Sequence, residues 1–219
     1  AASDVYKRQE LALNLIHFPS NNDDVKEALR YLKYEEFLRF QLTMQYIKLS
    51  RKDNLGIKKQ FNRQTLDEFI AQLPFELTFD QEQAALEVIN DLQKETMMYR
   101  FVQGDVGSGK TVVGAIGLYA NYLAGYQGAM MAPTEILATQ HYRSLIKLFK
   151  KIDINIALLT GHLSNKEKQR IYNDLENGTI DIVVGTHALF QEKVIYQKLG
   201  LVITDEQHLS LIHISEPTR

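Results

Sequence analysis

The segment from Gly104 to Thr111 constrains the fold of this chain more than any other part of the sequence. It reads Gly-Asp-Val-Gly-Ser-Gly-Lys-Thr and fits the pattern G-x-x-x-x-G-K-[ST] at every position. Its glycines allow the backbone to curve closely around an anion with the N–H groups pointing inward. A loop of this type connects a strand to a helix, so the pattern predicts an α/β fold.

The chain beyond Pro74 alternates between short apolar runs and amphipathic stretches. Such alternation is typical of parallel strands joined by right-handed helical crossovers, which form a doubly wound sheet. Ligands of such a sheet gather at the carboxyl ends of the strands. The predicted strands are 99–103, 129–132, 155–159, 182–184 and 201–204, and the predicted helices are 111–123, 135–150 and 164–176.

The part of the chain before Pro74 has a helical pattern instead. From Asp23 onward, apolar residues recur at helical spacing, which predicts one long amphipathic helix to about Arg51. A shorter helix is predicted around Thr65–Gln72. We interpret residues 10–73 as a helical arm that packs against a neighbouring domain, and residues 74–208 as the α/β domain.

Composition excludes several classes of protein. The formal net charge is −2, so any contact with nucleic-acid phosphates must come from local arrangement rather than from bulk attraction. The absence of cysteine excludes disulfides, zinc–thiolate sites and thiol catalysis, and it fits a reducing cytoplasm. No apolar run approaches membrane-spanning length, and the first ten residues lack the apolar core of a signal peptide. We therefore expect a cytoplasmic protein without membrane contact.

The chemistry of the glycine-rich loop indicates nucleotide binding. Its amides and the positive N-terminal end of the following helix would hold phosphates. The ammonium of Lys110 would reach the β- and γ-phosphates, and the hydroxyl of Thr111 would ligate Mg²⁺. The predicted nucleotide-binding residues of the loop are Gly104, Asp105, Val106, Gly107, Ser108, Gly109, Lys110 and Thr111.

Two adjacent carboxylates follow the apolar run Leu201–Thr204. At the end of a strand in a P-loop protein, Asp205 would bind Mg²⁺ and Glu206 would orient and deprotonate the attacking water. Lys110, Asp205 and Glu206 are therefore the predicted catalytic residues. Gln207 and His208 would lie between the nucleotide and the partner that the protein binds, and would couple the two. A solvated surface turn is the alternative reading of such an acidic pair.

Five motifs together resemble those of superfamily-2 helicases, and most closely the RecG-type ATP-dependent DNA helicases of bacteria. They are GDVGSGKT at 104–111, APTEILATQH at 132–141, LLTGHL at 158–163, GTHALFQ at 185–191 and DEQH at 205–208. The resemblance extends over about 11–208 and is weaker to the related transcription-repair coupling factor. It implies an incomplete RecA-like P-loop sheet that uses ATP and Mg²⁺, with the arm as a connector to a DNA-binding wedge domain. It also implies action on branched or forked DNA in fork reversal and junction migration, and thus in DNA repair and recombination.

The resemblance assigns further site residues. Gln81 would hydrogen-bond the edge of adenine. Hydroxyls and backbone amides at the exits of the predicted strands would hold a DNA backbone without reading its sequence. The alternative for Thr134 and Thr186 is ordinary N-capping of helices. Glu135 cannot attract phosphate, so we expect it to orient a neighbour. The predicted DNA-contacting residues are Pro133, Thr134, Thr160, Gly161, Gly185, Thr186 and His187.

Both ends of the chain depart from the helicase pattern. We interpret residues 1–9 and 209–219 as foreign segments, and we expect the wedge domain, the end of the first motor lobe and the second lobe to be missing. In this family the second lobe supplies an arginine finger worth about 10³–10⁵ in rate. The chain is accordingly expected to be monomeric, to bind ATP weakly, to hydrolyse it barely and to unwind nothing.

Two other functions remain compatible with the glycine-rich loop. One is a P-loop ATPase or kinase that acts on something other than DNA, which would have no need of the TGHL and GTHAL segments. The other is a nucleotide-binding module without turnover, against which stand the intact Lys110, Thr111, Asp205 and Glu206.

Overall fold

A computed structural model describes residues 2–52, 56–105 and 107–205 of the chain. The chain divides into two compact units, one up to residue 55 and one from residue 56 onward. Within the described residues, no helix combines the length and the apolar character that crossing a bilayer requires.

The first unit is a pair of helices, α1 (Ala2–His17) and α2 (Asn22–Lys52), which pack against each other. Ala12 on α1 and Ala28 on α2 are buried, and such small side chains let two helices approach closely. The side chain of Asn21 accepts the backbone N–H groups of Asp23 and Asp24 and so caps the start of α2. The long predicted helix is confirmed, whereas α1 is not anticipated by the sequence pattern.

The second unit contains five α-helices, four strands and one 3₁₀ turn among its described residues. The helices are α3 (Arg63–Ala71), α4 (Phe79–Leu92), α5 (Lys110–Leu123), α6 (Glu135–Leu148) and α7 (Asn165–Glu176). The strands are β1 (Gln127–Met131), β2 (Ile156–Leu159), β3 (Ile182–Gly185) and β4 (Leu199–Thr204), and the 3₁₀ turn is His187–Phe190. A capping box starts α7, with the side chains of Ser164 and Glu167 each accepting the other's backbone N–H.

The four strands form one sheet in the order β2-β3-β1-β4, and every pairing is parallel. Alternate residues of β3 enter opposite layers of the core, since Ile182 and Val184 pack with α5 residues such as Ile116 while Val183 packs with Leu175 of α7. Both faces of the sheet are therefore covered. The predicted fold class, a doubly wound parallel sheet preceded by helices, is confirmed.

The predicted strand 99–103 is wrong. In the structure these residues are assigned no strand, and the side chains of Tyr99 and Phe101 are 58% and 74% exposed. A strand is defined by its ladder of hydrogen bonds to a neighbour, and the apolar composition of this run does not supply one. Arg100 is held instead by α4, through ion pairs with Asp91 at 2.6 Å and with Glu87.

The short helix α3 packs into the core of the second unit. Leu66 is fully buried, and the ring of Phe69 lies 4.5 Å from that of Tyr119 and 5.3 Å from that of Phe149. The second unit thus begins at Gly56, earlier in the chain than the boundary predicted at Pro74. The division into 1–9, 10–73, 74–208 and 209–219 stays a prediction.

Candidate functional site

Two glycines give the predicted phosphate loop its shape. Gly107 and Gly109 have φ angles of +85° and +82°, in the left-handed region that side chains with a Cβ rarely adopt. A Cβ on Gly109 would also lie only 2.4 Å from Nε2 of Gln81. Gly109 is the N-cap of α5, so the loop delivers the chain directly into the first turn of that helix. Val106, a predicted loop residue, lies outside the described residues.

The side chain of Lys110 bends back over this loop. Its Nζ donates hydrogen bonds to the backbone oxygens of Gly104 at 2.7 Å and Asp105 at 2.8 Å. The backbone N–H of Ser108 donates to the same Asp105 oxygen at 3.1 Å. The ammonium is therefore held against the backbone of the loop, and Lys110 and Thr111 both lie in the first turn of α5. This arrangement fits a polyphosphate ligand.

Gln81 connects α4 to the loop. Its Oε1 accepts the backbone N–H of Thr78 at 3.0 Å, which completes a capping box with the Thr78 hydroxyl. Its Nε2 donates to the backbone oxygen of Ser108 at 2.8 Å. A primary amide has two N–H donors and two acceptor lone pairs, so one of each remains for a ligand. That remaining pair matches the donor and acceptor on the edge of adenine, and the adenine-reading role stays a prediction.

The carboxyl end of β4 lies at the same edge of the sheet as the loop. A Cβ on Gly114 of α5 would be 3.3 Å from Cδ1 of Ile203, and one on Gly117 would be 3.6 Å from Leu201. Moving forward along α5 thus moves backward along β4. The start of α5, with Lys110, therefore lies toward the end of β4, which Asp205 follows directly.

Asp205 is fixed at two points. Its backbone N–H donates to the oxygen of Met131, the last residue of β1, at 2.8 Å. Its Oδ2 lies 2.6 Å from Nε2 of His141 on α6, and His141 is only 9% exposed. A carboxylate oxygen accepts hydrogen bonds, so the ring N–H at Nε2 of His141 is the donor in this contact. The sequence contained no sign of this contact beyond the presence of a histidine in a motif stretch.

The residues that follow Asp205 are not described. The predicted roles of Glu206 as the base and of Gln207 and His208 in coupling lie outside the described residues and stay predictions. The described residues contain no group of three or more histidine and acidic side chains that could hold a metal. A hydroxyl on Thr111 and a carboxylate on Asp205 are nonetheless the hard oxygen donors that Mg²⁺ prefers, and Mg²⁺ usually completes its shell with waters and phosphate oxygens.

Of the predicted DNA-contacting residues, Gly185 is the last residue of β3, and the others follow β1, β2 or β3 at their carboxyl ends, on the edge that also carries Asp205. Their exposure differs. Thr134 and His187 are exposed, whereas Thr160 is only 7% exposed and Gly185 is buried, where a Cβ would collide with the backbone oxygen of Leu159. Of the seven, the surface positions are therefore better placed for a ligand. The remaining members of the set are Pro133, Gly161 and Thr186.

The two threonines differ as N-caps. The hydroxyl of Thr134 accepts the backbone N–H of Leu137 at 3.3 Å, so the capping alternative holds for α6. Thr186 precedes the 3₁₀ turn and makes no side-chain capping hydrogen bond. The Thr186 hydroxyl is accordingly not committed to holding its own helix terminus.

Glu135 ties the exit of β1 to the exit of β2. Its Oε1 accepts the backbone N–H of Gly161 at 2.6 Å, and its Oε2 lies 3.0 Å from Nε2 of His162. Lys168 donates to the Gly161 oxygen at 2.6 Å and holds the same loop from α7. The expectation that Glu135 orients a neighbour agrees with this geometry.

The comparisons with known proteins agree with this arrangement of motifs. A profile of the DEAD/DEAH box helicase family matches residues 78–215. The chain is 50% identical over 198 residues to the ATP-dependent DNA helicase RecG of Bacillus subtilis, covering 90% of this chain and 29% of that protein. It is 48% identical over 193 residues to the RecG of Thermotoga maritima, covering 88% of this chain and 25% of that protein.

Solved structures give the same result. The structure of RecG bound to a three-way DNA junction matches with a TM-score of 0.77 and 45% identity, covering 94% of this chain and 29% of that one. A hypothetical ATP-dependent RNA helicase from Sulfolobus tokodaii shares the fold, with a TM-score of 0.52 at 23% identity. Fold, motifs and profile together define a superfamily-2 helicase lobe. The chain belongs to the DEAD/DEAH box helicase family, and its predicted resemblance to the RecG type is confirmed.

Proposed function

We propose that this chain is the ATP-binding lobe of a helicase that uses ATP hydrolysis to remodel branched DNA. The observation that carries the proposal is the meeting of two elements at one edge of the sheet. One is the loop with its two left-handed glycines and with the Lys110 ammonium hydrogen-bonded to its backbone, and the other is Asp205 at the end of β4. The names of the relatives, ATP-dependent DNA helicase RecG, support the substrate class.

The nucleotide would be held by the chain's own amides and charges. The N–H groups of the loop and the N-terminus of α5 would bind the phosphates, and Lys110 would exchange its two backbone oxygens for phosphate oxygens. Thr111 and Asp205 would hold Mg²⁺, which neutralises charge on the phosphates when it is bound. Gln81 would hydrogen-bond adenine with its remaining donor and acceptor. Glu206 is the proposed base for the attacking water.

The DNA would bind at the strand exits of the same edge. Backbone amides, hydroxyls and helix N-termini there suit phosphates in any sequence, which a helicase requires. The net charge of −2 supports a local contact of this kind over bulk attraction. The exposed or half-buried members of the proposed set are Pro133, Thr134, Gly161, Thr186 and His187.

The chain spans 29% of the length of the Bacillus subtilis relative and 25% of the Thermotoga maritima relative. We propose that the helicase activity belongs to a longer protein that adds a DNA-binding wedge and a second lobe with an arginine finger. This chain alone would act as a monomer, bind ATP weakly and hydrolyse it barely. The working protein would act in the bacterial cytoplasm.

The test compares nucleotide binding and turnover. The chain is titrated with a fluorescent ATP analogue and Mg²⁺, beside a Lys110→Ala variant, which should lose most of the affinity. ATP hydrolysis by a full-length protein that contains this chain should rise on addition of forked DNA. Binding that is unchanged in the Lys110→Ala variant contradicts a phosphate site at the loop. ATP turnover that is indifferent to DNA and transfers the γ-phosphoryl group to a small molecule instead of to water favours the kinase alternative.

A further inference from the structure

We propose that His141 is a positioning residue that sets the orientation of the Asp205 carboxylate and links it to the segment that carries the proposed DNA contacts. The inference rests on the proposed function, because it concerns the use of Asp205 as a metal ligand. In its proposed role, His141 contacts neither the nucleotide nor the DNA. It acts through Asp205.

The first support is the contact itself. Nε2–H of His141 donates to Oδ2 of Asp205 at 2.6 Å, and the two side chains are only 11% and 24% exposed. A hydrogen bond to an ionised group in a partly buried place is stronger than one between neutral groups. It fixes one carboxylate oxygen and leaves Oδ1 for a metal or a metal-bound water. Outer hydrogen bonds of this kind orient metal ligands, and their loss typically costs about 10–100-fold in metal affinity or activity.

The second support is the cost of a histidine at this position. Residue 141 lies on the buried stripe of α6 between Ala138 and Leu145, both of which are fully buried. A leucine here would continue the apolar stripe with no desolvation penalty. Burying a polar ring is unfavourable unless it is hydrogen-bonded, and the bond that compensates it is the one to Asp205.

The third support is that one continuous segment holds Asp205 at both points. Its backbone N–H bonds to Met131 at the end of β1, and its carboxylate bonds to His141 on α6. Between these two anchors lie Thr134, which caps α6, and Glu135, which holds the loop after β2. A shift of α6 that accompanies DNA binding at this segment would therefore reorient the Asp205 carboxylate directly.

The experiment compares three substitutions. His141→Gln keeps an N–H donor near the place of Nε2, and His141→Leu fills the apolar stripe without a donor. His17→Gln is the matched control, since His17 is exposed and belongs to the other unit. The 219-residue chain is titrated with Mn²⁺ in the presence of AMP-PNP by electron paramagnetic resonance. Affinity for a fluorescent ATP analogue is measured separately in EDTA, and urea unfolding monitors the fold.

We expect His141→Leu to weaken the apparent Mn²⁺ affinity by about 10–100-fold while leaving the metal-free nucleotide affinity within about twofold. His141→Gln should restore most of the Mn²⁺ affinity, and His17→Gln should match the wild type. If the leucine variant fails to fold, His141→Asn replaces it, because its shorter amide keeps the polarity but does not reach Asp205.

Three outcomes count against the inference. Equal Mn²⁺ affinity in wild type, His141→Leu and His141→Asn overturns it while leaving nucleotide binding intact. Equal losses of Mn²⁺ affinity and of metal-free nucleotide affinity in every His141 variant also overturn it, because they show a packing role. A wild-type chain that binds no nucleotide in either condition overturns the proposed function itself, and the inference with it.

Discussion

Substitutions at Gln81 separate its role in the fold from its role toward a nucleotide. The amide oxygen serves α4, by accepting the Thr78 N–H at 3.0 Å, and the amide nitrogen serves the loop, by donating to the Ser108 oxygen at 2.8 Å. Gln81→Glu keeps an oxygen for the Thr78 N–H, since glutamate also completes a capping box. It removes the donor to Ser108 and places a carboxylate near a backbone oxygen. Gln81→Ala removes both contacts.

The magnitudes follow from these contacts. Loss of the capping bond costs about 0.5–1 kcal/mol of helix stability, and loss of the bond to the loop costs about 1 kcal/mol. The alanine variant should therefore unfold about 1–2 kcal/mol more easily than the wild type, and the glutamate variant about 1 kcal/mol more easily at most. Both should bind ATP about tenfold more weakly, which corresponds to about 1.4 kcal/mol. If Gln81 reads adenine, both should also lose preference for ATP over GTP.

Urea unfolding and titration with ATP and GTP analogues measure these quantities on the same preparations. The decisive comparison is the glutamate variant, because it leaves the capping box in place. A glutamate variant with wild-type ATP affinity would refute the anchoring of the loop by Gln81. Weaker binding of both ATP and GTP with an unchanged ratio of the two affinities would refute base reading and leave the anchoring role.

Three further predictions concern buried and bridging side chains. Gln127→Leu should destabilise the sheet unit by about 2–4 kcal/mol in urea unfolding, because the buried amide bonds three backbone groups, and a loss below about 0.5 kcal/mol would contradict this. Glu135→Ala should raise the hydrogen-exchange rate of the Gly161 amide by about tenfold, measured by mass spectrometry, whereas Glu135→Gln should change it less. Burial lowers the pKa of Lys59 below its ordinary 10.5, so the folded chain releases this proton at lower pH than the unfolded chain. The free energy of unfolding should therefore rise with pH between the lowered pKa of Lys59 in the folded chain and the ordinary value of 10.5 in the unfolded chain. The melting temperature of the wild type relative to that of Lys59→Met should increase as the pH is raised toward 10.5. A difference in melting temperature that does not depend on pH would refute this.

The elements that the sequence predicts well are those with strong local signals. Each of these elements has a cap, a turn or a buried apolar run within its own residues. They are the helix after the glycine loop, the capped helix α7 and the strands β1, β3 and β4. The run 99–103 fails because a strand also needs a neighbour, and neighbours are not encoded locally. The same holds for α3, whose place in the core of the second unit depends on the distant rings of Tyr119 and Phe149.

In the candidate site, too, some features follow from local sequence signals and others depend on residues far apart in the chain. The positions of the loop residues and of Asp205 follow from motif and topology, because parallel strands bring their carboxyl ends to one edge. The contacts that hold them do not follow. These hydrogen bonds join residues far apart in the chain, through side chains whose rotamers depend on packing. They are the bonds of Gln81 to Ser108, of Glu135 to Gly161 and of His141 to Asp205.

The parallel sheet also places α6 next to both proposed sites, the one for the nucleotide and the one for DNA. Each strand exit leads into a helix whose N-terminus lies at the shared edge, so α6 starts beside the exits of β1 and β2. His141, two turns into that helix, still reaches back to the exit of β4 because β1 and β4 are adjacent in the sheet. Any ligand that displaces the start of α6 must therefore stretch the bond to Asp205 or move the carboxylate with it. The proposed link between DNA and nucleotide thus needs only one rigid helix and one hydrogen bond.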